Sequence, residues 1–513
     1  MDRRSFLAGG AVVGGGLLLG ACSADGESTT AAVSSTSTTT AVTSTSTTTL
    51  PPSFDPSTPY WLQGGFAPVT EEIEVDELVV HGALPSSLHG LYARNGSNPS
   101  SGRSPHWFFG DGMIHGVRFE QGKAAWYGNR YVDTALYRDG REFGDFDGIP
   151  GFSETQANVS VFAHGGRLLA LGEVGWPVEI SATDLSSSGP LDFGTVGGTG
   201  VGGNVTAHPK RDPATGLLHF FGYGFTPPYL TYYVASADGR TLLHREEISV
   251  GAAAMIHDFA ITESDVIFWE LPVLFDLEAA ANGALNPFSW TPDHGSRVGV
   301  MPLGGRDADM RWVEIDNCYV FHGTNAHRDG ERIVVDVSRM NSMFDDGSDL
   351  NDEGSRLTRW EIDTSGADLS WSTTTLSDTP LDLPEIDDRF TGRRHSVAWL
   401  VEPEDTSEGD LEFNGVAAFD VASGAISSWR PGPAQQPNEV TFVADSPTSG
   451  EGEGWLLTFV WDKAEDASLL AVLDATDVGA GPVATIELPQ RVPFGFHGTW
   501  LSGDPTEVDE SAT

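Results

Sequence analysis

Four short islands, each built around one histidine, constrain this chain more than any other feature: Ala207-His208-Pro209-Lys210, Ile256-His257-Asp258-Phe259, Phe321-His322-Gly323-Thr324 and Phe496-His497-Gly498-Thr499. Dozens of residues separate the first three, and well over a hundred separate the last pair. Imidazole suits iron, zinc or copper, and several imidazoles without thiolates point to a metal that does chemistry. Spacings this wide exclude a zinc finger or a paired-histidine helix. To unite the islands, the chain must return again and again to one axis, as the blades of a β-propeller do. Taken singly, each histidine is as well explained by packing, because the chain has 14 of them.

Hydrophobic periodicity agrees with a β-rich chain. Apolar or alternating runs such as Leu168 to Leu171, Leu217 to Phe221, Val266 to Leu271, Ile333 to Val337, Gly415 to Phe419, Trp455 to Val460 and Leu469 to Leu473 are bounded by Gly, Asp, Asn or Pro. Gly165-Gly166, Asp238-Gly239 and Asp329-Gly330 read as hairpin turns. The class expected is all-β, with the number of blades left open by pattern alone.

The residues around the histidines carry a resemblance to the carotenoid cleavage oxygenases, a family that also includes stilbene-cleaving dioxygenases and the vertebrate retinoid isomerase. It runs from about Pro59 to Ser502 through Asn95-Gly96-Ser97-Asn98-Pro99, Phe109-Gly110-Asp111-Gly112-Met113-Ile114-His115, Arg167 to Glu173, Gly203 to Lys210, Met255 to Thr262, Arg297 to Pro302 and Pro493 to Trp500. It implies a seven-bladed β-propeller with a cap of loops and short helices over the metal site. Spread over about 445 residues, seven blades would average roughly 64 each, longer than minimal propeller repeats, so the excess must be loop. Tyr131 to Phe152, Leu271 to Trp290 and Asp378 to His395 are the expected cap segments.

Position by position, the resemblance makes His208, His257, His322 and His497 the ligands of one Fe(II) per chain. Four neutral imidazoles leave the ion's charge intact and coordination positions open to O2. Glu173, Glu385 and Glu439 stand where the family places the carboxylates that orient those ligands. His106, His115, His164, His219, His327 and His395 are not assigned to the metal. Val159 falls near the open iron position where many cleaving members carry threonine; the isomerase resembles this chain there, which leaves isomerisation as an alternative to cleavage. No catalytic residue beyond the ligands is expected.

The reaction implied is cleavage by O2 of a double bond in a carotenoid or apocarotenoid, a small apolar conjugated alkene, giving two carbonyl products. A lignostilbene-type activity is the alternative, with Tyr131 and Tyr137 as possible phenol contacts, although no lysine lies between Lys123 and Lys210, where stilbene-cleaving relatives place one. A reading from another class is a non-catalytic propeller lipoprotein that binds a ligand without iron.

The termini speak to location. Asp2-Arg3-Arg4-Ser5-Phe6-Leu7 resembles a twin-arginine signal, and the apolar run from Ala8 to Gly20 is too short to span a bilayer. Leu19-Gly20-Ala21-Cys22 resembles a lipobox. Residues 1–22 are therefore expected to be an export signal ending in a lipidated Cys22, residues 23–57 a Ser/Thr-rich tether, 58–503 the oxygenase propeller and 504–513 an acidic tail. The protein is expected outside the bacterial cytoplasmic membrane, anchored to its outer face through Cys22 or else secreted. With Cys22 consumed, Cys318 has no partner and the domain must hold without disulfides. A formal net charge of −45 would repel phosphate backbones, so no nucleic-acid partner is expected.

Overall fold

The short strands between turn residues assemble, in a computed structural model, into seven antiparallel sheets of four to six strands each. The structure describes residues 55, 57–141, 151–193, 200–282, 284, 286–345, 354–405 and 411–504. The expected export signal, Cys22, nearly all of the tether and the tail beyond Asp504 lie outside the described residues.

Each sheet is one blade. The second runs Ser160–His164, Arg167–Leu171, Val178–Ile180, Ser187–Pro190, and the third Lys210–Arg211, Leu218–Tyr223, Leu230–Ala235, Leu242–Ile248. The fourth begins at Ala260–Ile261, the fifth at Tyr319–Asp329 and the sixth at Asp382–Glu385. In these blades the chain lays down neighbouring strands in order, so the first strand is always an edge.

The first and last blades close the ring by exchanging termini. Gly498–Ser502, near the C-terminus, pairs with Gly90–Ser97 of the first blade. Val80–Gly82, near the N-terminus, pairs with Pro482–Glu487 of the last. Opening the propeller therefore breaks two sets of ladder hydrogen bonds at once, a closure that removes exposed edges from the ring.

Five of the seven apolar runs expected to be strands lie wholly within one, and the other two overrun theirs by a single residue, Leu217 and Leu271. The Gly165-Gly166 turn joins paired His164 and Arg167, with φ of 59° and 77°. Both values are left-handed, as a type I′ turn demands, which explains two consecutive glycines there. Between blades, large aromatics interlock: Trp269 meets Trp360 edge-on at 6.0 Å, and Trp399 stacks on Phe442 at 4.7 Å. All three tryptophans are fully buried. Cys318 is buried and free.

The cap is visible in part. Ala135–Asp139 and Leu277–Ala281 are five-residue helices, and Val273–Phe275 pairs with Phe288–Trp290 outside the blades. Stacking of Phe275 on Phe225 at 4.0 Å ties that excursion to the third blade. The segment Asp378 to His395 differs from expectation. Its centre is the first strand of the sixth blade, because Asp382 and Glu385 pair with Val401 and Trp399.

Candidate metal centre

The four island histidines arrive at one point because each sits on, or within three residues before, a strand at one edge of its blade. His208 precedes Lys210–Arg211, His257 precedes Ala260–Ile261, His322 lies within Tyr319–Asp329, and His497 immediately precedes Gly498–Ser502. One ligating atom from each falls within 4.8 Å of the others. These edge strands of four blades must therefore face a common axis. His208 Nε2 and His257 Nε2 are 2.9 Å apart. Two metal–nitrogen bonds of about 2.0–2.1 Å at a right angle would hold such atoms roughly 3 Å apart, so the pair fits adjacent ligands of one ion. Among the described residues, no other group of three or more His, Cys, Asp or Glu comes together in this way.

The outer ring nitrogens set which inner nitrogen is free. His497 Nδ1 lies 2.6 Å from Glu439 Oε1, and the other carboxylate oxygen accepts from Gly498 N–H at 2.9 Å. His257 Nδ1 is 2.9 Å from Glu173 Oε2, an ion-pair contact at hydrogen-bonding distance. Glu173 is held from its far side by the Tyr223 hydroxyl, which donates at 2.8 Å. His322 Nδ1 meets Asp382 Oδ1 at 2.8 Å. A proton on Nδ1 shared with a carboxylate leaves the Nε2 lone pair for a metal. His208 alone faces no carboxylate in an ion pair among the described residues.

Asp382 is the residue that the sequence motif did not single out, and Glu385 is displaced from the role expected of it. Glu385 Oε1 accepts from Phe442 N–H at 2.9 Å, and among the described residues no hydrogen bond or ion pair joins it to a ligand histidine. The reason lies in the backbone. The register shifts between Asp382 and Glu385, and Leu383 takes a left-handed φ of 50°. Strand alternation is lost over those residues, so counting along the motif does not tell which carboxylate faces the axis. The sequence carried no signal for this beyond a second acid in the same strand.

Electrostatics separate the four rings. Burial, then the other three histidines and Lys210, hold His208 well below its ordinary value, so it is a neutral ligand. Burial also lowers His322 against the pull of Asp382. For His257 burial is again the largest influence, yet Glu173, Asp258 and Asp382 together outweigh it and raise the value. Burial pushes the Asp382 carboxyl up, but His322 and the Leu383 N–H bring it below the usual carboxylate range. Burial, with Asp388 adding to it, drives Glu385 well above the range and favours its neutral form.

One side of the centre is walled by aromatic rings. Phe321 stands edge-on to His257 at 5.1 Å, Phe108 follows at 6.1 Å, and Phe496 contacts both Phe108 at 5.9 Å and Trp107 at 4.6 Å. Val159 is buried in the same cluster as Trp107, Phe108 and Phe496, and its carbonyl accepts from His497 N–H at 3.0 Å. Four of the other ten histidines are used elsewhere: His115 pairs with the Tyr127 hydroxyl, His219 with that of Tyr232, His164 with the Ser236 carbonyl, and His106 caps the turn Trp107–Phe109.

Comparison with known proteins agrees with this architecture. Residues 66–502 match the model of the family described as retinal pigment epithelial membrane protein. The chain is 33% identical over 503 residues to a carotenoid 9,10(9',10')-cleavage dioxygenase 1 of Pisum sativum, covering 88% of this chain and 92% of that one. It is 32% identical over 474 residues to an isoeugenol monooxygenase of Pseudomonas nitroreducens, covering 86% and 97%. A lignostilbene dioxygenase of Pseudomonas brassicacearum superposes with a TM-score of 0.79 at 32% identity, covering 87% of this chain and 99% of that one.

Proposed function

From the premise that this chain belongs to the retinal pigment epithelial membrane protein family of non-haem iron dioxygenases, we propose that it cleaves a double bond of a carotenoid or apocarotenoid with O2. The enzyme class and the oxidative cleavage of a C=C bond follow from the family, and the four-histidine centre is the observation that carries them. His208, His257, His322 and His497 would hold ferrous iron, which supplies the means of activating O2 beside an alkene.

The protein's own part is to position and to exclude water. Glu173, Asp382 and Glu439 fix the ring orientation of three ligands and keep their inner nitrogens unprotonated. Phe321, Phe108, Phe496 and Trp107 present π faces and edges to a flat conjugated substrate and offer it no competing base. Val159 adds a methyl-lined surface without a hydroxyl.

The preference for a neutral polyene over a phenolic stilbene is supported by what Tyr131 does. Its hydroxyl donates to the Val69 carbonyl at 3.0 Å and accepts from Asn98 Nδ2 at 2.7 Å, while its ring stacks on Tyr137 at 4.7 Å. A tyrosine committed in this way is not free to bind a substrate phenol. The stilbene-type reading keeps its place through the name of one structural relative, the lignostilbene dioxygenase. Residues 1–22 and Cys22 further place the enzyme, in this proposal, as a lipoprotein outside the cytoplasmic membrane.

Anaerobic iron quantitation on the full-length protein and a His257→Ala variant tests the centre, and O2 uptake with an apocarotenoid and a 4-hydroxystilbene tests the substrate. About one iron per chain, lost in the variant, with aldehyde or ketone products from the apocarotenoid, is the expected result. Products from the stilbene alone would move the assignment to that class. A protein that takes up no iron would leave only a ligand-binding propeller.

A further inference from the structure

Asp258 follows the ligand His257 in the chain and is only 1% exposed, yet its carboxylate is not among the atoms gathered at the metal centre. A buried carboxylate is tolerated only where donors satisfy it. Here both oxygens are engaged. Oδ1 meets Lys210 Nζ at 2.9 Å and accepts from Phe259 N–H at 2.8 Å, while Oδ2 accepts from Gly323 N–H at 2.8 Å. Lys210 stands two residues after His208, Asp258 one after His257, and Gly323 one after His322. One carboxylate therefore bridges the islands of three ligands, which belong to the third, fourth and fifth blades.

The chain around Gly323 is shaped for this contact. The register of Tyr319–Asp329 against Arg332–Met340 shifts on both sides of Gly323, so the strand that carries His322 leaves regular pairing there. A Cβ on residue 323 would lie 3.0 Å from the Trp269 ring and 3.5 Å from Asp258 Oδ2, so glycine permits the close approach. The fourth ligand shows the same device in simpler form. Glu439 takes the His497 ring with one oxygen and the N–H of the next residue, Gly498, with the other. At His322 the two tasks fall to different acids, Asp382 for the ring and Asp258 for the backbone one residue on.

We propose that Asp258 is a positioning residue that, with Lys210, sets the spacing of three ligand islands before iron arrives. The inference rests on the iron reading of the four histidines. Carboxylates on the outer ring nitrogens fix how each imidazole is turned, but they leave open how far apart the blades stand. Asp258 supplies that second constraint, because its contacts run from the segment leading into the fourth blade to the third blade and to the fifth. Only a carboxylate serves. Every partner is a donor, and an amide would set its own NH2 against one of them. Lys210, 21% exposed, balances the charge that Asp258 brings into the interior.

The test compares the full-length protein with Asp258→Asn, Lys210→Met and Lys210→Arg. Iron affinity is measured anaerobically against a competing chelator, and the visible spectrum of the cobalt(II) form reports ligand geometry, which a merely structural role would not move. Asp258→Asn should lower iron affinity about 10- to 100-fold, the range for partners that orient metal ligands, and should shift and broaden the cobalt bands. Lys210→Met should move both in the same direction by less, and Lys210→Arg, which keeps the cation, should restore the spectrum of the unaltered protein. A folded Asp258→Asn protein with unchanged affinity, or with weakened affinity and unchanged cobalt bands, overturns the proposal. If Asp258→Asn does not fold, Lys210→Met decides, and unchanged affinity and bands there overturn it. An unaltered protein that binds neither metal removes the iron centre itself, whereas equal binding by the unaltered protein and the variants removes this inference alone.

Discussion

Replacing Asp382 by Asn, beside a Glu385→Gln control, tests how the third carboxylate works. The Asp382 contact with His322 Nδ1 is 2.8 Å, within the range of a charge-assisted bond, and both side chains are largely buried, each 13% exposed. A hydrogen bond to a charged group contributes about 1.5–3 kcal/mol, which converts to roughly 10- to 150-fold in an equilibrium constant. Orienting partners of ligand histidines cost about 10- to 100-fold in metal affinity when removed, in agreement. Asn keeps the shape but carries no charge and can turn its NH2 toward the ring, favouring the tautomer with its lone pair away from the axis. The expected result is iron affinity lowered about 10- to 100-fold in Asp382→Asn, measured anaerobically against a competing chelator, with kcat per bound iron much less affected. Glu385→Gln should change affinity less than about threefold, because that carboxyl is already pushed toward its neutral form and serves the Phe442 N–H. Iron loss in Glu385→Gln with none in Asp382→Asn would refute the reasoning and restore Glu385 to the metal centre.

Three further outcomes are expected. Val159→Thr should keep iron, since the Val159 contact with His497 runs through backbone, but should lower stability by about 1–3 kcal/mol in denaturant titration by burying a hydroxyl; loss of iron would contradict this. Burial holds His219 and His327 down at about 4 and His115 at about 3, so folding stability is complete above the unfolded value near 6.5 and falls as pH drops toward 4; His219→Gln should flatten that slope by on the order of 3 kcal/mol across the window, and an unchanged Tm-against-pH curve would count against it. Cys22→Ser should release the protein from the membrane fraction and end incorporation of labelled fatty acid, and persistence in that fraction would remove the lipid anchor.

Much of the site is legible in the sequence because ligand chemistry is local: a histidine flanked by the right neighbours is recognisable without knowing where it points. His208, His257, His322 and His497 converge for that reason, and Glu173 and Glu439 stand beside two of them. The strands are legible too, since alternation and paired glycines act over a few residues, as at Gly165-Gly166. What the sequence by itself determined, then, is residue type, strand content and the set of groups available to a metal.

Only the tertiary structure decided which of two nearby acids meets His322, because a single left-handed residue, Leu383, breaks the alternation that would otherwise link position to direction. It also decided how the ring closes, with Gly498–Ser502 and Val80–Gly82 each joining a blade built hundreds of residues away. Local interactions are written in neighbouring residues; burial and direction arise from contacts between segments whose sequences carry no record of one another.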